Sequence, residues 1–188
     1  AAELGRIVQT LKQYFEITDG IGAELHPADV NVPTLTLLKE AGVTRISIGI
    51  QSFLPEFARC LGRPAPSPEK LASALAAVPF ETVSMDFIFA LPGQRMEHIR
   101  QDLDTAFAHG ANHVAVYPFI DFSFTGSPVH AMPGRQKHRL LDELTEYCYA
   151  RGLVRDSIWT FAQPGGHRLF HDGLAVRHGM ELAGQAVP

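Results

Sequence analysis

The chain has 188 residues, 46% of them hydrophobic, and 16 Lys and Arg against 20 Asp and Glu give a formal net charge of −4. That is enough apolar material for one domain, or a large piece of one, and the scattered basic residues leave no electrostatic footprint for nucleic acid or a membrane surface. There is no run of about 18 apolar residues to span a bilayer, and the start lacks the order of a signal peptide, so the cytoplasm is the expected location. The only two cysteines, Cys60 and Cys148, suggest neither a disulfide framework nor a paired metal motif.

In chain order, residues 3–15 place Leu4, Ile7, Val8, Leu11, Tyr14 and Phe15 on one helical stripe. A strand is predicted near 20–25. TLTLLKEAG reads as a helix stopped by Gly42 and leads into the strand TRISIGIQ. Alternation along that strand sets Ile46, Ile48 and Ile50 on one face and Ser47, Gly49 and Gln51 on the other. With no charge after Arg45, it reads as a strand buried on both faces, as parallel sheets require. Ser67 and Pro68 open the next helix as N-cap and first-turn residue, and TVSMDFIFAL is the longest strand. Residues 96–109 form an amphipathic helix ended by Gly110, HVAVYPF is a strand, and GRQKHRLLDELTEYCYARG is a helix closed by Gly152. A last strand falls near 157–161. Such alternation predicts an α/β fold of parallel strands with right-handed crossovers, either a doubly wound sheet or a section of a β/α barrel.

In both architectures ligands meet the carboxyl ends of the strands. There the sequence puts Glu24, Gln51, and Asp86 within VSMDFIFAL, and the fourth strand leads to Tyr117 and Ile120. Asp86 is the most informative, because an unpaired carboxylate in so apolar a run costs several kcal/mol and requires a partner or a ligand. A backbone NH or an arginine would satisfy it without any function. Gln51 as an amide closing a loop and Glu24 as a solvated carboxylate are the corresponding structural alternatives.

GAELHPADV, GVTRISIGIQSF, LGR, SMDFIFALPGQ and HVAVYPFI, in that order and spacing, resemble the middle of the oxygen-independent coproporphyrinogen III oxidase (HemN-like) group of radical SAM proteins. That group also holds heme-chaperone and heme-utilisation branches. The resemblance covers residues 3–165 and implies part of a radical SAM (β/α)6 partial TIM barrel, with 166–188 as a divergent tail. It further implies S-adenosylmethionine (SAM) held against a [4Fe–4S] cluster, with a tetrapyrrole as substrate. Carried over by motif position, Glu24 and Gln51 fall on polar contacts to SAM, Arg63 on its methionyl portion, Asp86 on its ribose, and Ile88 and Ile120 near its adenine. An acidic acceptor suits a ribose diol and a guanidinium suits a carboxylate. LPGQ is read as a tight turn that marks the family and carries no chemistry.

The departure lies in the cluster. The family's CxxxCxxC motif is absent, which points to a fragment lacking its N-terminal third, without its own metal or catalytic residues and inactive alone. A barrel without its first strands exposes a sheet edge, an opening for self-association. In the tail, His167, His171 and His178 are spaced to share a helical face, but Gly173 and Gly179 weaken any helix there. Solvated histidines are therefore expected rather than a metal or heme site, and His26 is expected to be a loop residue.

Overall fold

The structure, a computed structural model, describes residues 2–18, 20–120 and 129–165. The elements are α1 (Ala2–Tyr14), β1 (Ile21–Leu25), α2 (Val32–Glu40), β2 (Val43–Gln51), α3 (Pro55–Cys60), α4 (Pro68–Ala77), β3 (Thr82–Phe89), α5 (Met96–Ala108), β4 (His113–Pro118), α6 (Gly134–Ala150), β5 (Val154–Arg155) and β6 (Thr160–Ala162). They build one open sheet in the order β1-β2-β3-β4-β6-β5. Pairing from β1 to β4 is parallel, each strand lying beside its successor, so right-handed crossovers lay the helices on one face.

Local chemistry accounts for the boundaries. Asn31 caps α2 by accepting a hydrogen bond from the Thr34 amide at 3.0 Å, and Ser67 caps α4 through the Lys70 amide. Each cap satisfies a backbone donor that the helix itself leaves without a partner. Gly42 and Gly110 follow α2 and α5 with φ of 93° and 102°, a conformation that an L side chain would enter only with strain. α2 begins at Val32, earlier than TLTLLKEAG suggests, because Pro33 fits the first turn of a helix.

The alternation read in TRISIGIQ is present. Ile46, Ile48 and Ile50 join Val83, Met85, Phe87, Val114 and Val116 in a buried layer against Leu35, Leu71, Leu103 and Leu144 of the helices. Fully burying one such side chain stabilises by about 1.5–3 kcal/mol.

The structure departs from the expected fold in its last strands and adds to it elsewhere. The apolar stripe of α1 is largely uncovered: Val8 is buried, but Tyr14 is 77% and Phe15 66% exposed. α1 packs on α2, and amphipathicity reveals which face is apolar without revealing what covers it. The last strands are not parallel, since β6 runs antiparallel to both β4 and β5. The link from β5 to β6 is too short for a crossover and makes a hairpin. The six-residue α3 has no counterpart among the expected elements, and β1, Ile21–Leu25, falls within the strand expected near 20–25. The tail histidines His167, His171 and His178 lie outside the described residues. Among the described residues no helix is long and apolar enough to cross a membrane.

Candidate functional site

The sheet face turned away from the helices is small and polar. Register places Glu24 beside Ser47, Ser47 beside Ser84, and Ser84 beside His113, so these four form a row across β1 to β4. Asp86, two residues on from Ser84, faces the same way and sits beside Ala115. The row is bonded together: Ser47 Oγ donates to Asp86 Oδ2 at 2.6 Å, and Ser84 Oγ lies 3.2 Å from Asp86 Oδ1.

Asp86 is therefore held by serine hydroxyls, neither by the arginine nor by the backbone NH weighed from the sequence. Burial pushes its carboxyl above the ordinary carboxylate range. The two hydroxyls and His113 pull the other way, and the nearby Glu24 adds to the rise. A carboxylate has about four acceptor sites, so these hydrogen bonds leave room for donors from a ligand.

At the mouth of this face, Gln51 adopts a left-handed backbone with φ of 70°. The strand is bulged there, since Ile48 pairs with Met85 and the next pairing is Gln51 with Phe87. The bulge turns the Gln51 side chain back over its own strand, and a Cβ built on Gly49 would lie 3.0 Å from Gln51 Nε2. Ala90, just past the end of β3, is the other non-glycine residue of positive φ among the described residues, at 65°. Two left-handed non-glycine residues at adjacent strand ends are the kind of strain that gathers where a chain is held for a purpose.

The loop after Gln51 is clamped from the helix layer. Asp102 on α5 accepts hydrogen bonds from Ser52 Oγ and the Phe53 amide, both at 2.7 Å. Ser52 Oγ in turn accepts from the Leu54 amide at 3.1 Å. Asp102 and Ser52 are fully buried. Burial pushes the Asp102 carboxyl up to about 6, against the lowering effect of the Ser52 and Phe53 hydrogen bonds. Gln94 similarly closes the turn after β3: its side-chain oxygen accepts from the Leu91 amide and its nitrogen donates to the Ile88 carbonyl. LPGQ is thus a turn whose glutamine is a structural part.

Of the six residues singled out in the sequence, the structure puts Glu24, Gln51, Asp86 and Ile88 along one face of neighbouring strands. Arg63 is set apart on the loop after α3, lining a cavity of about 310 Å³ with His26, Gly49, Ile50 and Lys70. Ile120 follows β4 and is 60% exposed. The sequence reading overlooked Ser47, Ser84, His113, Ser52 and Asp102. The first three were within reach, since they share the even spacing of Asp86 or the parallel register. Asp102 also left a signal, falling among Ile99, Leu103 and Ala106 on the buried stripe of α5. The two cysteines do not make a cluster site: Cys60 is exposed on α3 and Cys148 is buried on α6.

No family model matches the chain. Over 168 residues it is 29% identical to heme chaperone HemW of Bacillus subtilis, covering 85% of this chain and 44% of that protein. It is 27% identical over 186 residues to the oxygen-independent coproporphyrinogen III oxidase of Paracoccus denitrificans, covering 93% and 40%. The chain thus spans less than half the length of these relatives. In fold it is similar to coproporphyrinogen III oxidase (HemN) from Escherichia coli, described as a radical SAM enzyme. The TM-score is 0.75 and the identity 21%, over 95% of this chain and 42% of that one. It is more distantly similar to Elp3 of Methanocaldococcus infernus, with a TM-score of 0.59 and 15% identity over 96% and 49%. With its strand-end motifs in order on a parallel-dominated open sheet, the chain is thus similar in sequence to heme chaperones HemW and to oxygen-independent coproporphyrinogen III oxidases, and in fold to HemN.

Proposed function

We propose that this chain is the SAM-holding part of a radical SAM barrel whose whole protein acts on a porphyrin or heme-type tetrapyrrole. Residues 1–165 would form the barrel part, with 166–188 a divergent tail. The observation that carries the reading is Asp86, a carboxylate held by hydroxyls beside Glu24 on the open face of the sheet. In this reading Asp86 accepts from the ribose diol and Glu24 and Gln51 make polar contacts to the cofactor. Arg63 holds the methionyl carboxylate, and Ile88 and Ile120 flank the adenine. These residue types fit SAM. They do not supply the [4Fe–4S] cluster, because the chain's two cysteines are on different elements, so the cluster would be bound by a segment outside this chain.

SAM reduced at a cluster supplies a 5′-deoxyadenosyl radical for hydrogen abstraction, here for the oxidative decarboxylation of propionate side chains, and the protein's part is to bind and orient it. The relatives named heme chaperone HemW favour a second reading on the same scaffold, in which heme is bound and handed over, and anaerobic heme utilisation is a third outcome. All three readings carry the cytoplasm as their proposed location. β1, at the edge of the sheet among the described residues, would be the strand along which two copies associate.

The test is anaerobic reconstitution of the whole protein, cluster-binding segment included, with SAM cleavage followed in the presence of a porphyrinogen, of heme, and of neither. Cleavage stimulated by one tetrapyrrole supports the enzyme and names its substrate class. Heme binding without cleavage, with the cluster intact, supports the chaperone.

A further inference from the structure

Behind Asp86 a line of polar groups crosses the sheet. Ser84 Oγ lies 3.2 Å from Asp86 Oδ1 and 3.0 Å from His113 Nδ1, and His113 Nε2 lies 3.1 Å from Asp156 Oδ2. Ser84 and His113 are fully buried. Asp156, in the β5–β6 hairpin, accepts at its other oxygen from the Thr160 hydroxyl. Three contacts thus join two carboxylates through one hydroxyl and one imidazole, and each contact is a hydrogen bond only if it holds one proton.

The proton count is then decisive. The Ser84 hydroxyl brings one proton and a neutral imidazole brings another, which leaves one contact with lone pairs opposed along a line whose middle members, Ser84 and His113, are closed to water. An unmade hydrogen bond there costs about 1–3 kcal/mol. One more proton removes the conflict and can sit on His113, on Asp86 or on Asp156, each with the same total charge.

We propose that Asp86, Ser84, His113 and Asp156 form a relay holding this one acidic proton in common, with His113 a positioning residue that sets the charge of Asp86. With the proton on His113, the imidazolium donates to Ser84 and to Asp156, and Ser84 donates to an ionised Asp86. Transfer moves the Nδ1 proton to Ser84 Oγ as the Ser84 proton passes to Asp86 Oδ1, leaving a neutral imidazole and a protonated Asp86. Among the described residues, Glu24 on β1 and Arg45 on β2 are further charged groups on this face. A ligand hydroxyl donating to Asp86 favours the ionised carboxylate and draws the proton to His113. That consequence rests on the ribose reading above, whereas the proton count does not.

The experiment is NMR on the 188-residue chain, without ligand, with nitrogen-labelled histidine and carboxyl-labelled aspartate. At pH 7 we expect either both His113 ring nitrogens protonated, or one protonated together with a protonated Asp86 or Asp156. In wild type His113 and Asp86 change in one shared step on titration, and Ser84→Ala splits it into independent steps. A neutral His113 beside ionised Asp86 and Asp156 in the wild type overturns the relay, as does titration unchanged by Ser84→Ala. The wild-type reading stands alone if the variant does not fold. Because no ligand is present, a failure of SAM binding is read separately from a failure of the relay.

Discussion

Replacing Asp102 with Asn tests the clamp behind Gln51 through a pH dependence of known sign. The unfolded carboxyl titrates near 3.8 and the folded one at about 6, because burial penalises the charge. The folded state therefore holds its proton more tightly, so this contribution to stability is fully present below about pH 4 and is lost as pH rises through about 6. At 1.36 kcal/mol for each tenfold difference in proton affinity, ionised Asp102 costs the fold about 2–3 kcal/mol near pH 7.5. Asn keeps an acceptor for the Phe53 amide and, like the protonated carboxyl, turns a donor rather than an acceptor toward Ser52 Oγ, so it stands in for the neutral acid at every pH. Urea unfolding of wild type and Asp102→Asn across this range isolates the residue, since the other titrating groups cancel in the difference. The stability of wild type relative to the variant should fall by about 2 kcal/mol between pH 4 and pH 7.5, leaving the variant the more stable at the upper end. A difference that is flat with pH, or that grows, refutes the argument.

Gly49→Ala places a Cβ 3.0 Å from Gln51 Nε2. Because that amide is the end of a flexible side chain, stability should change by less than about 1 kcal/mol, while SAM affinity in the whole protein falls as the amide is displaced. Equal affinity would remove Gln51 from the site. At Ala90, with φ of 65° and no exposure, Gly should stay within about 1 kcal/mol of wild type, whereas the β-branched Ala90→Val should lose more than about 2 kcal/mol. Urea midpoints decide it, and a tolerated valine would contradict the left-handed backbone. Burial pushes the Cys148 thiol up to about 12, while Cys60 is exposed. A thiol reagent should therefore label one cysteine in the folded chain and two after unfolding; two in the folded chain would contradict the burial.

Much of this was legible in the sequence because two periodicities carry it. Period-two alternation in TRISIGIQSF separated the isoleucine face from the serine and glycine face, and the structure keeps that division. Glycine and proline punctuation placed α2, α4 and α5 to within a few residues. What escaped depended on tertiary partners. The stripe of α1 was visible but its lack of cover was not, and a three-residue strand such as β6 has too few positions to show which way it pairs. Asp86 was recognisable as a carboxylate in need of partners. Ser47 and Ser84 became those partners only once the register of β2 and β3 was known, and Gln51's backbone reversal has no signature in a run of otherwise regular strand residues.

The central claim is that Asp86 accepts hydrogen bonds from the ribose of SAM. Its most direct test is equilibrium binding of SAM to the whole protein, reconstituted anaerobically, comparing wild type with Asp86→Ala. Losing hydrogen bonds to a charged acceptor costs about 1.5–3 kcal/mol, so the account predicts SAM binding weakened by about tenfold to a hundredfold, with the fold retained by circular dichroism. SAM affinity unchanged in a folded Asp86→Ala protein would contradict it.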